Sequence, residues 1–406
     1  MNRPRISRRL SRAAGDPRRL RFNAALVAVT LITGGGVYAM SSTAADRDSR
    51  WGWKLPETFP TPRVPKANPM TNAKVEVGRR LFYDVRLSGN GKQSCSSCHL
   101  QELAFTDGQV TAIGSTGEPH PRNSQSLVNV AYQSTLTWAN PSLVTLEAQM
   151  QVPLFGTGPV ELGITDANKE QVLRRIRRDP WYAARFKRAF PGQRAPVTWK
   201  AIVASIASFQ RSIISARSKY DRYLAGKTVL AAAERRGMDL FMGERAECHH
   251  CHGSFIFNDQ VSYVSAPVEP AKFHNTGLYN LAGTGAFPEG NRGVFELTGR
   301  PQDMGRFKAP SLRNVELTAP YMHDGSITTL EDAVAHYQRG GRLIPDGPLA
   351  GDGAKNPFKD PLITGLTLSD RDQADLVAFL KTLTDRAVTT DPKFSDPFEK
   401  KLAAGR

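Results

Sequence analysis

Cysteine is scarce in this sequence. Its 406 residues contain four, all inside two short motifs, Cys95-Ser96-Ser97-Cys98-His99 and Cys248-His249-His250-Cys251-His252. No thiol is left over for a structural disulfide. A basic stripe interleaved with aromatics is also missing, which removes the usual footprint of a nucleic-acid-binding surface. The formal charge of +16 does not restore it, because residues 1–21, with eight Arg and one Asp, supply +7. Uncharged runs of membrane-spanning length that are also predominantly apolar are absent with one exception, Phe22 to Met40. An Arg-rich start, an apolar middle and the small residues Ser41 to Ala45 form the pattern of an export signal. The run is also long enough to cross a bilayer, so an N-terminal membrane anchor is the competing expectation for residues 1–45. Either way the Arg excess stays in the cytoplasm and the body is expected in the periplasm. Contact with the membrane is expected only if the leader stays attached.

Both cysteine motifs are Cys-x-x-Cys-His. Two thiols at this spacing meet the two vinyl groups of one porphyrin, and the adjacent histidine reaches its iron. The sequence therefore predicts two covalently bound haem c groups, held by Cys95, Cys98 and His99 and by Cys248, Cys251 and His252. A zinc site made from all four cysteines is the alternative. Zinc motifs place their cysteine pairs closer together, and zinc gives no reason for a histidine after each pair.

Gly78-Arg79-Arg80-Leu81-Phe82 precedes the first motif and Gly237-Met238-Asp239-Leu240-Phe241 the second, a Gly-x-x-Leu-Phe repeat that predicts two related haem domains. Lys169 to Phe190 and Trp199 to Ser218 show helical spacing, and Ser369 should cap an amphipathic helix running to Leu383. Ser254 to Gly305 and Gly340 to Thr367 read as long ordered loops. The expected fold is mainly α, two cytochrome c-like haem domains with long ordered loops. Residues 46–70 form a proline-rich extended lead-in, 71–218 the first domain, 219–384 the second, and 385–406 a tail returning to the first.

The sixth iron positions decide the chemistry, since a closed iron carries electrons and an open one binds peroxide. Spacing leaves Met238, Met242, Met304, Met322, His274, His323, His336 and Tyr337 as candidates. Three stretches narrow the field: Leu81-Phe82-Tyr83-Asp84-Val85-Arg86-Leu87-Ser88, Ala104-Phe105-Thr106-Asp107-Gly108, and Pro310-Ser311-Leu312-Arg313-Asn314 with Pro320-Tyr321-Met322-His323-Asp324-Gly325-Ser326. Together they resemble the bacterial di-haem cytochrome c peroxidase and MauG family. Leu136 to Pro141 and Phe273 to Asn280 look closest to its MbnH type, which modifies a tryptophan on a partner protein.

The resemblance implies an enzyme with one peroxide-reactive haem and one electron-transfer haem. Hydrogen peroxide would generate a high-valent di-haem state that oxidises a residue, tryptophan by the MbnH likeness, on a periplasmic protein. It implies Tyr337 as distal ligand of the second iron, where peroxidases carry Met; Met322 and Met304 keep the peroxidase alternative open. In that alternative a small cytochrome or cupredoxin donates electrons to reduce peroxide. The resemblance further implies Trp138 between the haems, Glu161 as the distal acid–base group of the first and Pro153 as a wall of its pocket. The Pro153–Glu161 spacing is two residues longer than the family's. Finally, Asn123, Thr318 and Pro320 match positions that hold one calcium ion.

Overall fold

Two helix crossings, each built around one glycine, organise the chain. The longer helices are α1 (Asn72–Tyr83), α2 (Lys169–Arg177), α3 (Pro180–Ala189), α4 (Trp199–Ser212), α5 (Ala232–Met242), α6 (Leu330–Arg339) and α7 (Asp370–Lys381). In the computed structural model, which describes residues 51–267 and 269–399, the remainder is short helical turns, loops and one hairpin, β1 (Leu343–Ile344) paired antiparallel with β2 (Gly351–Asp352). The chain is mainly α, as expected.

Gly78 on α1 lies against the Ser205 carbonyl of α4, and Gly237 on α5 lies against the Asp375 carbonyl of α7. A Cβ at either glycine would overlap that oxygen, so the missing side chain sets how closely the helices approach. One turn later the Leu-Phe pair fills the crossing. Phe82 meets Phe209 at 5.2 Å between ring centroids, and Phe241 meets Phe379 at 5.2 Å. Complete burial of each such ring contributes about 2 kcal/mol. The sequence repeat is thus a repeated helix crossing.

Each crossing anchors its own hydrophobic core. The first gathers α1 to α4 with Val388 and Phe394 from the C-terminal segment. Tyr83 donates to the Phe394 carbonyl at 2.7 Å and Gln101 to the Val388 carbonyl at 3.0 Å, which fixes that segment. The second core gathers α5, α6 and α7. The proline-rich lead-in ties the two sides: Phe59 packs on both Tyr132 and Phe255, and Tyr132 donates to the Pro60 carbonyl.

Two helical expectations ran too long. Lys169 to Phe190 is broken at Asp179, whose side chain caps Trp181 N–H while Pro180 takes the first position of α3. α4 stops at Ser212 because the following backbone is claimed elsewhere: Ile213 O by Asn129, Ser215 N by the Asn129 side chain, and Ala216 and Arg217 N by Asp385. Ser369 caps α7 as expected, and Thr329 caps α6. Among the described residues no helix is long and apolar enough to cross a membrane. The leader of residues 1–45 lies outside the described residues.

Candidate active site

The two Cys-x-x-Cys-His motifs sit on matching floors. His99 Nδ1 donates to the Phe105 carbonyl at 2.8 Å and His252 Nδ1 to the Phe257 carbonyl at 2.9 Å. A carbonyl can only accept, so each ring keeps its proton on Nδ1 and presents a bare Nε2. Burial holds both imidazoles below their ordinary pKa, hence neutral. Both carbonyls reach the ring because Phe105 and Phe257 adopt left-handed backbone, φ 64° and 56°. That conformation costs a side-chain-bearing residue about 1–2 kcal/mol, and the complete burial of both rings holds it in place.

The match extends outward. The backbone of Gln125 faces the His99 ring and that of Pro310 faces the His252 ring. Four residues further on, Asn129 and Asn314 each bond the end of a helical segment, at Ile213 and Leu383, and both side-chain amides meet at Ser215.

All four cysteines are free and half-buried. Burial pushes the Cys95, Cys98 and Cys248 thiols up to about 12, so they persist as protonated thiols. Among the described residues no metal-ligand cluster contains any of the four, which removes the tetracysteine zinc alternative. Cys248, Cys251 and His252 instead line a largely apolar cavity of about 250 Å³. Free thiol pairs, bare imidazole nitrogens and an apolar slot fit a covalently attached porphyrin.

The cavity wall separates the candidate sixth ligands. His274, Met322, His323 and Tyr337 line it; Met238, Met242, Met304 and His336 do not. His274 has both ring nitrogens engaged, by Asp360 at 2.6 Å and Asp259 at 2.7 Å, and this clamp raises it to about 11 against the opposing effect of burial. It therefore has no lone pair to offer. His323 is neutral through burial and stacks on Phe307 at 3.6 Å, toward Arg122. Tyr337 shares the cavity with the cysteines: its hydroxyl is pushed up by burial and further by Cys251 and Cys248. No protein hydrogen bond satisfies that hydroxyl among the described residues.

Lys308, also on the cavity wall, is a group the sequence reading missed. It is 2% exposed, donates to Gln133 Oε1 at 2.5 Å and the Thr135 carbonyl at 3.3 Å, and is lowered to about 7 by burial. Its ammonium has no paired carboxylate among the described residues. In a chain this basic, one more lysine carries no distinguishing signal.

Glu161 belongs to the first motif. Leu162 N donates to the Pro153 carbonyl at 2.9 Å and Ser115 N to the Glu161 carbonyl at 2.8 Å, which brings Pro153 and Glu161 together despite the longer connection. Burial raises the Glu161 carboxyl to about 7, and its charge in turn raises both Cys95 and Cys98. Trp138 lines the same cavity as Cys248 and Cys251, and its indole N–H donates to the Asn123 carbonyl at 2.8 Å. From Asn123 the chain runs directly to Gln125, whose backbone faces the His99 ring. The Asn123 side-chain nitrogen donates to the Gln109 carbonyl at 2.7 Å, leaving Oδ1 without a donor. Asn123, Thr318 and Pro320 all border the same cavity. Their neutral oxygens, completed by water, suit a hard cation such as calcium.

A family profile described as di-haem cytochrome c peroxidase matches residues 72–229. Cytochrome-c peroxidase IdrP1 of Denitromonas iodatirespirans is 35% identical over 85% of this chain and 92% of its own. The methylamine utilization protein MauG of Methylorubrum extorquens is 33% identical over 88% of this chain and 94% of its own. A solved MauG-like protein associated with microbial copper homeostasis is 53% identical, with a TM-score of 0.85 over 86% of this chain and all of that one.

Proposed function

Because the chain belongs to the di-haem cytochrome c peroxidase and MauG family, and so is a haem-dependent peroxidase-type oxidoreductase, we propose that it works on the MauG side of that family. In this reading it uses hydrogen peroxide to oxidise a residue, tryptophan in the first instance, on a partner protein in the periplasm. The single observation that carries the reading is Tyr337, a half-buried phenol on the cavity wall near Cys248 and Cys251 with no hydrogen-bond partner among the described residues. A phenolate is a hard donor that favours oxidised iron, whereas a thioether favours reduced iron.

Cys95, Cys98 and His99 would hold the first haem, and Cys248, Cys251, His252 and Tyr337 the second; the pair would supply peroxide activation and storage of two oxidising equivalents. Lys308, buried on the cavity wall, would present its amine to an acidic edge of a bound porphyrin. Glu161 Oε accepts the proton of the incoming peroxide and returns it to the departing oxygen, a transfer suited to a carboxyl near 7. Pro153 keeps that pocket narrow. Trp138, hydrogen-bonded to the segment that reaches His99, passes charge between the two sites. Asn123, Thr318 and Pro320, which border one cavity, would hold a calcium ion at this connection. The oxidised residue needs no pocket beside the first haem, since charge rather than atoms crosses to the partner.

The second reading is a peroxide-scavenging peroxidase fed by a small cytochrome or cupredoxin. Met322 on the cavity wall favours it. One titration separates the two: stoichiometric hydrogen peroxide added to the fully oxidised protein, followed in the visible and near-infrared. Simultaneous change at both haems with a near-infrared charge-sharing band is expected. A requirement for prior half-reduction would instead assign the protein to the peroxidases.

A further inference from the structure

The two variable positions of the second attachment motif are both histidine, and haem attachment does not use them. His249 and His250 sit on the short helix His249–His252 with ring centroids 4.2 Å apart. Glu244, on the turn leading into the motif, brings its carboxylate to the same place. One ligand atom from each of the three lies within 4.8 Å of the others. None of the three side chains has a hydrogen bond or ion pair to another group among the described residues. A shielded ring nitrogen of His249 lacks any partner. The nearby Arg245, which would otherwise repel a cation, is drawn off by Asp372 at 2.9 Å.

We propose that Glu244, His249 and His250 form a surface site for a divalent transition metal, copper(II) or zinc(II), at the rim of the second haem. Two imidazoles and one carboxylate are the ligand set these borderline ions prefer, and copper(II) binds such sets most tightly among the divalent series. Ligand atoms around tetrahedral zinc stand about 3.3 Å apart, so the observed cluster closes by small rotations of Glu244 and His250, both exposed. Calcium or magnesium would be a poor match, since only one hard oxygen ligand is present. Three protein ligands leave a position open for water or for a donor brought by another molecule.

The test uses the holoenzyme carrying both haems. Copper(II) is titrated and followed by its paramagnetic resonance spectrum, and zinc(II) by calorimetry, on the parent and on the variants Glu244→Gln and His249→Ala/His250→Ala. One ion per chain, with nitrogen hyperfine structure for copper, is expected of the parent. That stoichiometric binding should be lost in the double variant while both haems stay attached by haem staining. Equal binding by parent and double variant, or no binding by the parent, overturns the site.

Discussion

Replacing Glu161 with Gln removes an ionisable group but keeps its shape, and two consequences can be worked out. Burial raises this carboxyl from 4.5 to about 7, so its ionised form is disfavoured by about 3 kcal/mol relative to water. The fold therefore binds a proton that the unfolded chain releases between pH 4.5 and 7. Stability falls as pH rises through that window, and the whole penalty is present above pH 7. Glu161→Gln should accordingly melt several degrees above the parent at pH 8 and level with it near pH 4. Function should move the opposite way. As the base that takes the peroxide proton, Glu161 is half ionised at its pKa and about one-tenth ionised one pH unit lower. The second-order rate with peroxide, read by stopped-flow absorbance, should drop about tenfold per unit below pH 7 and level off above pH 8. In the Gln variant that rate should be lower by about 10²–10⁴ and flat across the range. A parent profile without an inflection near 7, or a Gln variant that keeps one, refutes the assigned role.

Tyr337→Met should raise the reduction potential of the second haem and make turnover depend on prior half-reduction; potentiometric titration followed optically checks both, and an unchanged potential removes Tyr337 from the iron. Trp138→Phe leaves the Asn123 carbonyl without its donor, at about 1–3 kcal/mol, and should uncouple the two haems so that peroxide perturbs only the first. Gly237→Ala drives a Cβ into the Asp375 carbonyl at the second crossing, and a loss of about 3 kcal/mol or more is expected in denaturant unfolding. Its companion Gly78→Ala should do the same to the first core.

Contiguous chemistry was legible in the sequence. A thioether-linked haem requires its thiols and histidine side by side, and a close crossing requires a glycine one turn before its Leu-Phe pair. Non-local chemistry was not. Nothing near Lys308 announces that Gln133 and Thr135 will surround it, and nothing in Ser215 announces that Asn129 and Asn314 will meet there. The eight candidate sixth ligands could be halved only by seeing which line the cavity, and His274 is withdrawn only by two aspartates 15 and 86 residues away. The Pro153–Glu161 connection is longer than the family's in sequence, and only the Leu162–Pro153 hydrogen bond shows that its two ends meet.

The left-handed turns at Phe105 and Phe257 have an evolutionary consequence. Where a carboxylate orients an axial histidine, one substitution retunes the iron. Here the orienting group is a main-chain oxygen, which no change of side chain at that residue deletes. The orientation and basicity of each histidine are thereby buffered against drift, and are matched in the two motifs. In the proposed reading, divergence is channelled to the other side of the site, where a single codon, tyrosine or methionine at position 337, would redirect the stored oxidising power. A lineage built this way can explore new substrates while inheriting an untouched redox foundation.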